Sequence, residues 1–309
     1  MNLMSKTTHI AYADLLQLSQ PVQHPEAFKT AQECELAIGA LLHYLREETP
    51  LSSRFAAELA QRWPQPRDLL RALLNIRPAQ PMHPLHLQVL ERLLWTERLQ
   101  SQPVVASELP SVNQSLQCNW PHADKLVLWQ GDITRLQIDA IVNAANSQML
   151  GCFGPMHMCI DNAIHSAAGP RLRQDCATLM QWQGQEEATG TAKVTRAGQL
   201  PSRFVLHTVG PIVHGSLSPE HERLLASSYE SCLDLASKVQ AQDGAIAEVA
   251  FCCVSTGVFG YPADAAANVA VRTVHQWLVE HPDAIERVVF NVFSQSDQSR
   301  YERLFRTEL

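Results

Sequence analysis

The chain has 309 residues, of which 46% are hydrophobic and 18% are charged, and its formal net charge is −7. This length is enough to bury a large core and predicts roughly two domains. The negative charge excludes a general attraction to nucleic acid or to an anionic membrane, so we expect any phosphate to be bound by local backbone dipoles.

Residues 1–105 are predicted to form a helical N-terminal domain. The first 16 residues are too polar for a signal peptide, and no apolar run approaches the ~18 residues that cross a bilayer, so we expect a soluble, cytoplasmic protein. Apolar residues between Ala31 and Leu45 recur at helical spacing. Prolines such as Pro50 and Pro84 divide the rest into short helices, including 67–76 and 85–100.

Residues 106–123 are polar, contain proline and show no periodicity, so they are predicted to be a linker. From residue 124 to residue 309, short apolar strands alternate with helices. The predicted strands are 125–130, 139–145, 192–197, 203–209, 248–254 and 287–293, and the predicted helices are 159–183, 220–241, 262–281 and the segment from 297 onward. This alternation predicts an α/β domain whose central sheet is covered on both faces.

In such sheets, ligands bind beyond the carboxyl ends of the strands, and three loops there carry candidate residues. In GDIT at 131–134, Asp132 can accept a hydrogen bond from an exocyclic amine, or it can simply cap a turn or helix. In NAAN at 143–146, Asn146 suits the hydroxyls of a sugar, although asparagine is also common in turns. The glycine-containing loop STGVFGYP at 255–262 suits backbone binding of phosphate, or it is a structural turn.

The stretch GCFGPMHMCID at 151–161 combines two thiols, an imidazole and a carboxylate. Cys152, His157 and Cys159 follow the spacing C-x4-H-x-C, and zinc prefers thiolate and imidazole ligands. Three protein ligands would leave one tetrahedral position open, as in a catalytic zinc site. Alternatively, the cysteines are buried apolar side chains, or His165 is the fourth ligand of a closed structural site. Asp161 either favours the dipole of a helix or holds a water beside the metal.

The eight cysteines as a group are spread through a long chain, unlike those of a small secreted disulfide scaffold. We therefore expect reduced thiols, with metal ligation as the exception.

Together these motifs resemble the macrodomain, and specifically its zinc-containing branch of protein-ADP-ribose hydrolases. The resemblance covers 124–309 through GDITRLQIDAIVNAANSQMLGC, DNAIHSAAGPRLRQDC, GTAKVTRAGQLPSRFVLHTVGPI and CVSTGVFGYP, and the N-terminal part is similar to the segment that precedes the macrodomain in this branch. It implies a three-layer α/β/α domain with a mixed sheet, preceded by a small helical domain. Because non-zinc members keep a histidine at the position of His165, the resemblance disfavours this residue as a ligand.

Carried over to this chain, the resemblance implies roles for individual residues. Asp132 and Ile133 would contact adenine, and Phe293 would stack on it. Asn146 would bind the distal ribose, and Asp161 would be the general base or would orient the water. The diphosphate would be wrapped by the backbone of a loop, with its phenylalanine beside the distal ribose; the loop residues are Ser255, Thr256, Gly257, Val258, Phe259 and Gly260. One Zn²⁺ per chain would be held by Cys152, His157 and Cys159.

We therefore expect a zinc-dependent hydrolase that removes mono-ADP-ribose from modified protein side chains. The partners are then ADP-ribose and a mono-ADP-ribosylated protein, for which a lipoyl-carrier protein is the candidate that the branch suggests. The alternative is a non-catalytic ADP-ribose reader with a structural zinc. A zinc nucleoside deaminase is disfavoured, because no H-x-E accompanies the ligands. The N-terminal helices either pack over the pocket and help to select the protein substrate, or only support the fold.

Overall fold

The computed structural model describes residues 10–48 and 53–307. Within these residues, four helices form the N-terminal part, namely α1 (Ala31–Glu48), α2 (Ser53–Arg62), α3 (Pro66–Ile76) and α4 (Pro84–Gln100). Proline begins α3 and α4, because the first N–H of a helix has no partner within the helix. The helices share a core of their own around Leu41, Leu70 and Leu90. The structure contains the predicted helices at 67–76 and 85–100, and it also contains α2, which was not predicted. Pro50 and residues 1–9 lie outside the described residues.

The second part is built on a six-stranded mixed sheet. The strands of the described residues, including four outside this sheet, are β1 (Val104–Val105), β2 (Leu126–Gln130), β3 (Leu136–Gln137), β4 (Ala140–Ala144), β5 (Ala192–Arg196), β6 (Phe204–Thr208), β7 (Gln240–Ala241), β8 (Gly244–Ala245), β9 (Glu248–Phe251) and β10 (Arg287–Val292). The strands of the six-stranded sheet run in the order β2, β10, β9, β4, β6 and β5, and within this sheet only the pairing of β5 with β6 is antiparallel. Each of the six predicted strands is present. The five parallel strands end at one edge of the sheet, so their following loops meet there.

Two groups of helices pack with this sheet. The helices are α5 (Val112–Leu116), α6 (Ile160–Ala168), α7 (Pro170–Gln183), α8 (Pro219–Ala236), α9 (Ala263–Glu280) and α10 (Gln295–Arg306). Helices α6 and α7 pack together against β4 and β5, whereas α8, α9 and α10 form a second row. The predicted helix at 159–183 is interrupted between α6 and α7, because Gly169 has a φ of 87° and Pro170 cannot continue a helix. None of the helices in the described ranges is long and apolar enough to span a membrane.

The start of the described chain departs from the predicted helical domain. Residues 11–20 form turns and a bend, and Tyr12, Leu16 and Leu18 join the core of the α/β part. The hydroxyl of Tyr12 accepts a hydrogen bond of 2.9 Å from the N–H of Val194 in the edge strand β5. An unpaired edge N–H needs a partner, and this segment supplies one.

The predicted linker at 106–123 is folded against the α/β part. Within it, α5 packs on β2 and α10, and directly before it β1 pairs with β3. A capping box, in which Ser111 and Gln114 exchange side-chain and backbone hydrogen bonds, starts α5. The segment differs from the prediction because its elements are too short to show a period.

Candidate active site

Strand β4 and helix α6 bring two asparagines to one carboxylate. Asn143, fully buried in β4, donates from Nδ2 to Oδ1 of Asp161 at 2.8 Å. Asn146, just beyond the strand, lies with its Nδ2 3.4 Å from Oδ2 of Asp161 and donates to the carbonyl of Gly151 at 3.2 Å. The structure thus places both residues that were predicted to be catalytic, Asn146 and Asp161, in direct contact.

The pKa of the Asp161 carboxyl group is raised towards neutral pH. Its side chain is buried, and this burial raises the pKa from 3.8 to about 6, although the hydrogen bond from Asn143 and the charge of Arg173 act in the opposite direction. A carboxyl group with such a pKa can exchange a proton at physiological pH, as a general base must. His165 lies nearby, with Nε2 3.5 Å from Oδ1 of Asp161. Burial lowers the pKa of His165 well below its usual value, so its ring is neutral.

A polar chain behind Asp161 holds Asn143 in place. Nδ1 of His207 lies 3.2 Å from Nδ2 of Asn143, and Nε2 of His207 lies 2.9 Å from the hydroxyl of Thr195. Burial lowers the pKa of His207 to about 3, so the neutral ring accepts from Asn143 and donates to Thr195. No motif in the sequence pointed to His207 or Thr195. Their signal was a polar side chain inside an apolar strand, which needs a hydrogen-bond partner when buried.

The Cys-His-Cys loop (residues 152–159) gathers the three candidate metal ligands. The ligand atoms of Cys152, His157 and Cys159 all lie within 4.8 Å of one another, and Sγ of Cys152 is 3.5 Å from Nδ1 of His157. In a tetrahedral zinc site with bonds of about 2.0–2.3 Å, ligand atoms are roughly 3.5 Å apart. The donor set therefore fits zinc after small side-chain adjustments.

The two alternatives for this stretch fit the geometry less well. Both cysteines are only partly buried and His157 is exposed, so the thiols do not simply fill a core. His165 forms a separate buried group with Cys176 and His207, so the Cys-His-Cys set has three members within the described residues.

Helix α6 also shapes this loop at its own start. Sγ of Cys159 is the N-cap, accepting the N–H of Asn162 at 3.4 Å. Burial raises the pKa of the Cys159 thiol to about 11, despite this hydrogen bond, and the neighbouring Cys152 adds to the increase. Binding of a metal would therefore displace the thiol proton.

A second part of the edge lies where β2 and β10 end side by side. Asp132 caps the short helix Ile133–Arg135, and both capping bonds, from the N–H and hydroxyl of Thr134, go to Oδ1. Its Oδ2 can accept a further donor at the same time. The Ile133 side chain is buried, so only its backbone can face a ligand. Phe293, directly after β10, is 77% exposed, which leaves its ring free for stacking.

The loop at 255–260 offers backbone donors beside the start of α9. Ser255 and Gly260 have φ values of 65° and 69°, which curl the loop. Gly210 lies against it, and a Cβ there would be 2.1 Å from Oγ of Ser255. The N–H groups of three successive residues have no hydrogen-bond partner within 10–48 and 53–307, namely Gly257, Val258 and Phe259. Such a row of donors can bind an anion. The hydroxyl of Thr256 is used internally, since it donates to the carbonyl of Cys253 at 3.0 Å.

The chain is similar in sequence to proteins of a known family. The family model for the Macro domain matches residues 142–270. A protein-ADP-ribose hydrolase of Treponema medium is 44% identical over 264 residues, which is 85% of this chain and 96% of that protein. A protein-ADP-ribose hydrolase of Staphylococcus aureus is 43% identical over 240 residues, with coverages of 77% and 84%.

Solved structures agree with this relationship. The Trypanosoma brucei macrodomain in complex with ADP-ribose is 36% identical, with a TM-score of 0.55 over 66% of this chain and 77% of that one. The same macrodomain in complex with ADP is 30% identical, with a TM-score of 0.57 and coverages of 76% and 95%. The similarity therefore extends from sequence to fold.

Proposed function

Since the chain belongs to the macrodomain family of protein-ADP-ribose hydrolases, we propose that it is a zinc-dependent enzyme that removes mono-ADP-ribose from a modified protein side chain. One observation carries the proposal. The buried Asp161, whose pKa is raised to about 6, lies two residues from a Cys-His-Cys set whose ligand atoms converge within 4.8 Å. A module that only binds ADP-ribose needs neither feature.

The loops at the sheet edge suit the successive parts of ADP-ribose. Oδ2 of Asp132, which has no hydrogen-bond partner among the described residues, would accept from the exocyclic amine of adenine, and the exposed ring of Phe293 would stack on the base. The unpartnered N–H groups of the loop at 255–260 would bind the diphosphate, and Phe259 would lie beside the distal ribose. The distal ribose would then reach Asn146, which already contacts Asp161. The related Trypanosoma brucei macrodomain has been solved in complex with ADP-ribose, which supports ADP-ribose as the ligand of this edge.

The reaction adds water across the bond between the anomeric carbon of the distal ribose and the modified side chain. Water forms the new carbon–oxygen bond, its proton passes to the protein, and the released side chain takes up a proton as the old bond breaks. Asp161, held through both carboxylate oxygens, would orient this water and accept its proton. Zinc held by Cys152, His157 and Cys159 would supply a Lewis acid beside the distal ribose.

A paired substitution tests the metal and the activity together. Cys159→Ala should remove both the zinc, measured by elemental analysis without chelator, and the release of ADP-ribose from a labelled carrier. Cys34→Ala is the matched control, because Cys34 is a partly buried cysteine in α1. Full release by zinc-free Cys159→Ala would refute zinc dependence.

The same assay distinguishes a hydrolase from a non-catalytic ADP-ribose reader. A reader would retain the label on the carrier, whereas the hydrolase releases it as free ADP-ribose. The assay should include a mono-ADP-ribosylated lipoyl-carrier protein, since this choice of carrier stays a prediction.

A further inference from the structure

Helix α3 of the N-terminal part reaches directly into the Cys-His-Cys loop. Asn75 is buried, and its Oδ1 accepts the backbone N–H of Met156 at 2.9 Å. Its Nδ2 donates to the hydroxyl of Ser166 in α6, also at 2.9 Å. One helical turn earlier, Arg71 donates to Oδ1 of Asn162 at 3.1 Å. Residues four apart lie on the same helix face, so α3 presents both side chains to the loop and to α6.

Asn162 connects α3 to the backbone of the Cys-His-Cys loop. It is fully buried, and its Oδ1 accepts from Arg71 and from the hydroxyl of Ser166. These two donors fix the amide so that Nδ2 faces the loop, where it donates to the carbonyl of Gly154 at 2.9 Å. The N–H of Asn162 binds Sγ of Cys159. One residue therefore links α3, the loop backbone and a candidate ligand, through its side chain to the first two and through its backbone N–H to the third.

The loop conformation needs such support. Met156 lies in the left-handed region with a φ of 54°, which an L residue with a side chain adopts only when its surroundings hold it there. The N–H of this same residue is the one that Asn75 accepts. Just before the loop, Arg173 donates to the carbonyl of Leu150 at 2.8 Å, and it also donates to that of Leu74 near the end of α3 at 3.2 Å.

We propose that the N-terminal helical domain is a positioning part of the active site, in which Asn75 and Arg71 of α3 hold the Cys-His-Cys loop in the conformation that brings its three ligand side chains together. The consequence for metal binding rests on the proposed function. The ordering of the loop does not, because it follows from the hydrogen bonds alone. A helical domain that only supported the fold would not need polar side chains aimed at this loop.

The test compares two substitutions in the interface between the N-terminal helices and the α/β part, each made in the full chain. Asn75→Ala removes the acceptor for Met156. Arg171→Ala is the matched control, because Arg171 of α7 forms an ion pair with Glu91 of α4, which is an interdomain contact that involves no residue of the loop. Hydrogen–deuterium exchange of the peptide that covers 152–158 reports loop order, and chelator competition reports zinc affinity.

Asn75→Ala should speed exchange in this peptide and weaken zinc binding, each by about tenfold, as expected for a lost buried hydrogen bond. Arg171→Ala should change both by less than about twofold, because the Arg171 side chain is half-exposed and its partner Glu91 is not part of the loop. Asn75→Asp keeps an oxygen for the N–H of Met156 and should restore slow exchange. If Asn75→Ala fails to fold, Arg71→Ala replaces it and should change both readouts in the same direction, since Arg71 is only partly buried.

Equal effects of Asn75→Ala and Arg171→Ala would overturn the proposal, and so would unchanged exchange in Asn75→Ala. If the unaltered chain binds no zinc, the zinc site of the proposed function fails, while the exchange data still decide whether α3 orders the loop.

Discussion

Replacing Asp161 with asparagine should abolish turnover and at the same time stabilise the protein at neutral pH. Asparagine keeps the shape of the side chain and an oxygen that can accept from Asn143, but it has no charge. Loss of a general base typically costs about a hundredfold or more in rate. The gain in stability follows because burial disfavours the ionised carboxylate, which is the form that the reaction needs.

The size of the expected gain in stability follows from the pKa of Asp161, which is 3.8 for an ordinary aspartate and about 6 in the folded protein. Each unit corresponds to about 1.4 kcal/mol, so the folded state is disfavoured by about 3 kcal/mol once Asp161 is ionised. Because the folded pKa is raised, this cost is absent well below pH 4, grows as the pH rises to about 6 and is constant above it. The advantage of Asp161→Asn should therefore increase by about 2 kcal/mol between pH 4 and pH 7.5.

Denaturant unfolding of both proteins across this pH range measures the difference in free energy of unfolding. Asp124→Asn, which removes an exposed carboxylate, controls for the change in net charge. The pH profile of kcat/KM for the unaltered protein should rise with a midpoint at about pH 6. A stability difference that is the same at pH 4 and pH 7.5 would refute the raised pKa, and a flat rate profile would refute the need for ionised Asp161.

Three further predictions concern other parts of the site. Asn143→Ala removes a hydrogen bond that lowers the pKa of Asp161, so the midpoint of the pH–rate profile should move upward by about one unit; an unmoved midpoint would contradict this. Phe293→Ala should raise KM by about tenfold with little change in kcat, because base stacking contributes about 1–3 kcal/mol, and Trp182→Ala, at another exposed aromatic, should have no such effect in steady-state kinetics. Gly210→Ala places a methyl group against the 255–260 loop and should weaken binding of ADP-ribose in calorimetry by about tenfold, whereas unchanged affinity would argue against this loop as the diphosphate site.

The sequence predicted the sheet well because its strands are short apolar runs bounded by turn residues. The loops after those strands then indicated where ligand-binding residues gather, since parallel strands end at a common edge. The break between α6 and α7 was visible as the Gly169-Pro170 pair, yet the helical spacing continues on both sides of it. Periodicity alone therefore merged two helices into one.

The contacts that hold the site together were much harder to predict. Asn143 and His207 meet only because β4 and β6 are neighbours in register, with these two residues paired directly. Asn75 and Met156 are separated by 81 positions along the chain. Their contact depends on how α3 packs on α6, and a helical pattern specifies which face is apolar without specifying its partner. Residues that act through tertiary contacts leave only a weak signal in the sequence, such as an amide side chain on an otherwise apolar helix face.

The first turn of α6 explains why thiol, carboxylate and amide are crowded into so few residues. Successive helical residues point about 100° apart, so a single turn serves three directions. Cys159 caps the helix beside the other candidate ligands, Asp161 points to Asn143 in β4, and Asn162 points to the loop and to Arg71 of α3. A shift of the helix start by one residue would rotate all three away from their partners. Cys159 is both the N-cap of α6 and a candidate ligand. The residue at which the helix begins therefore also sets the distance between the metal site and the carboxylate of Asp161.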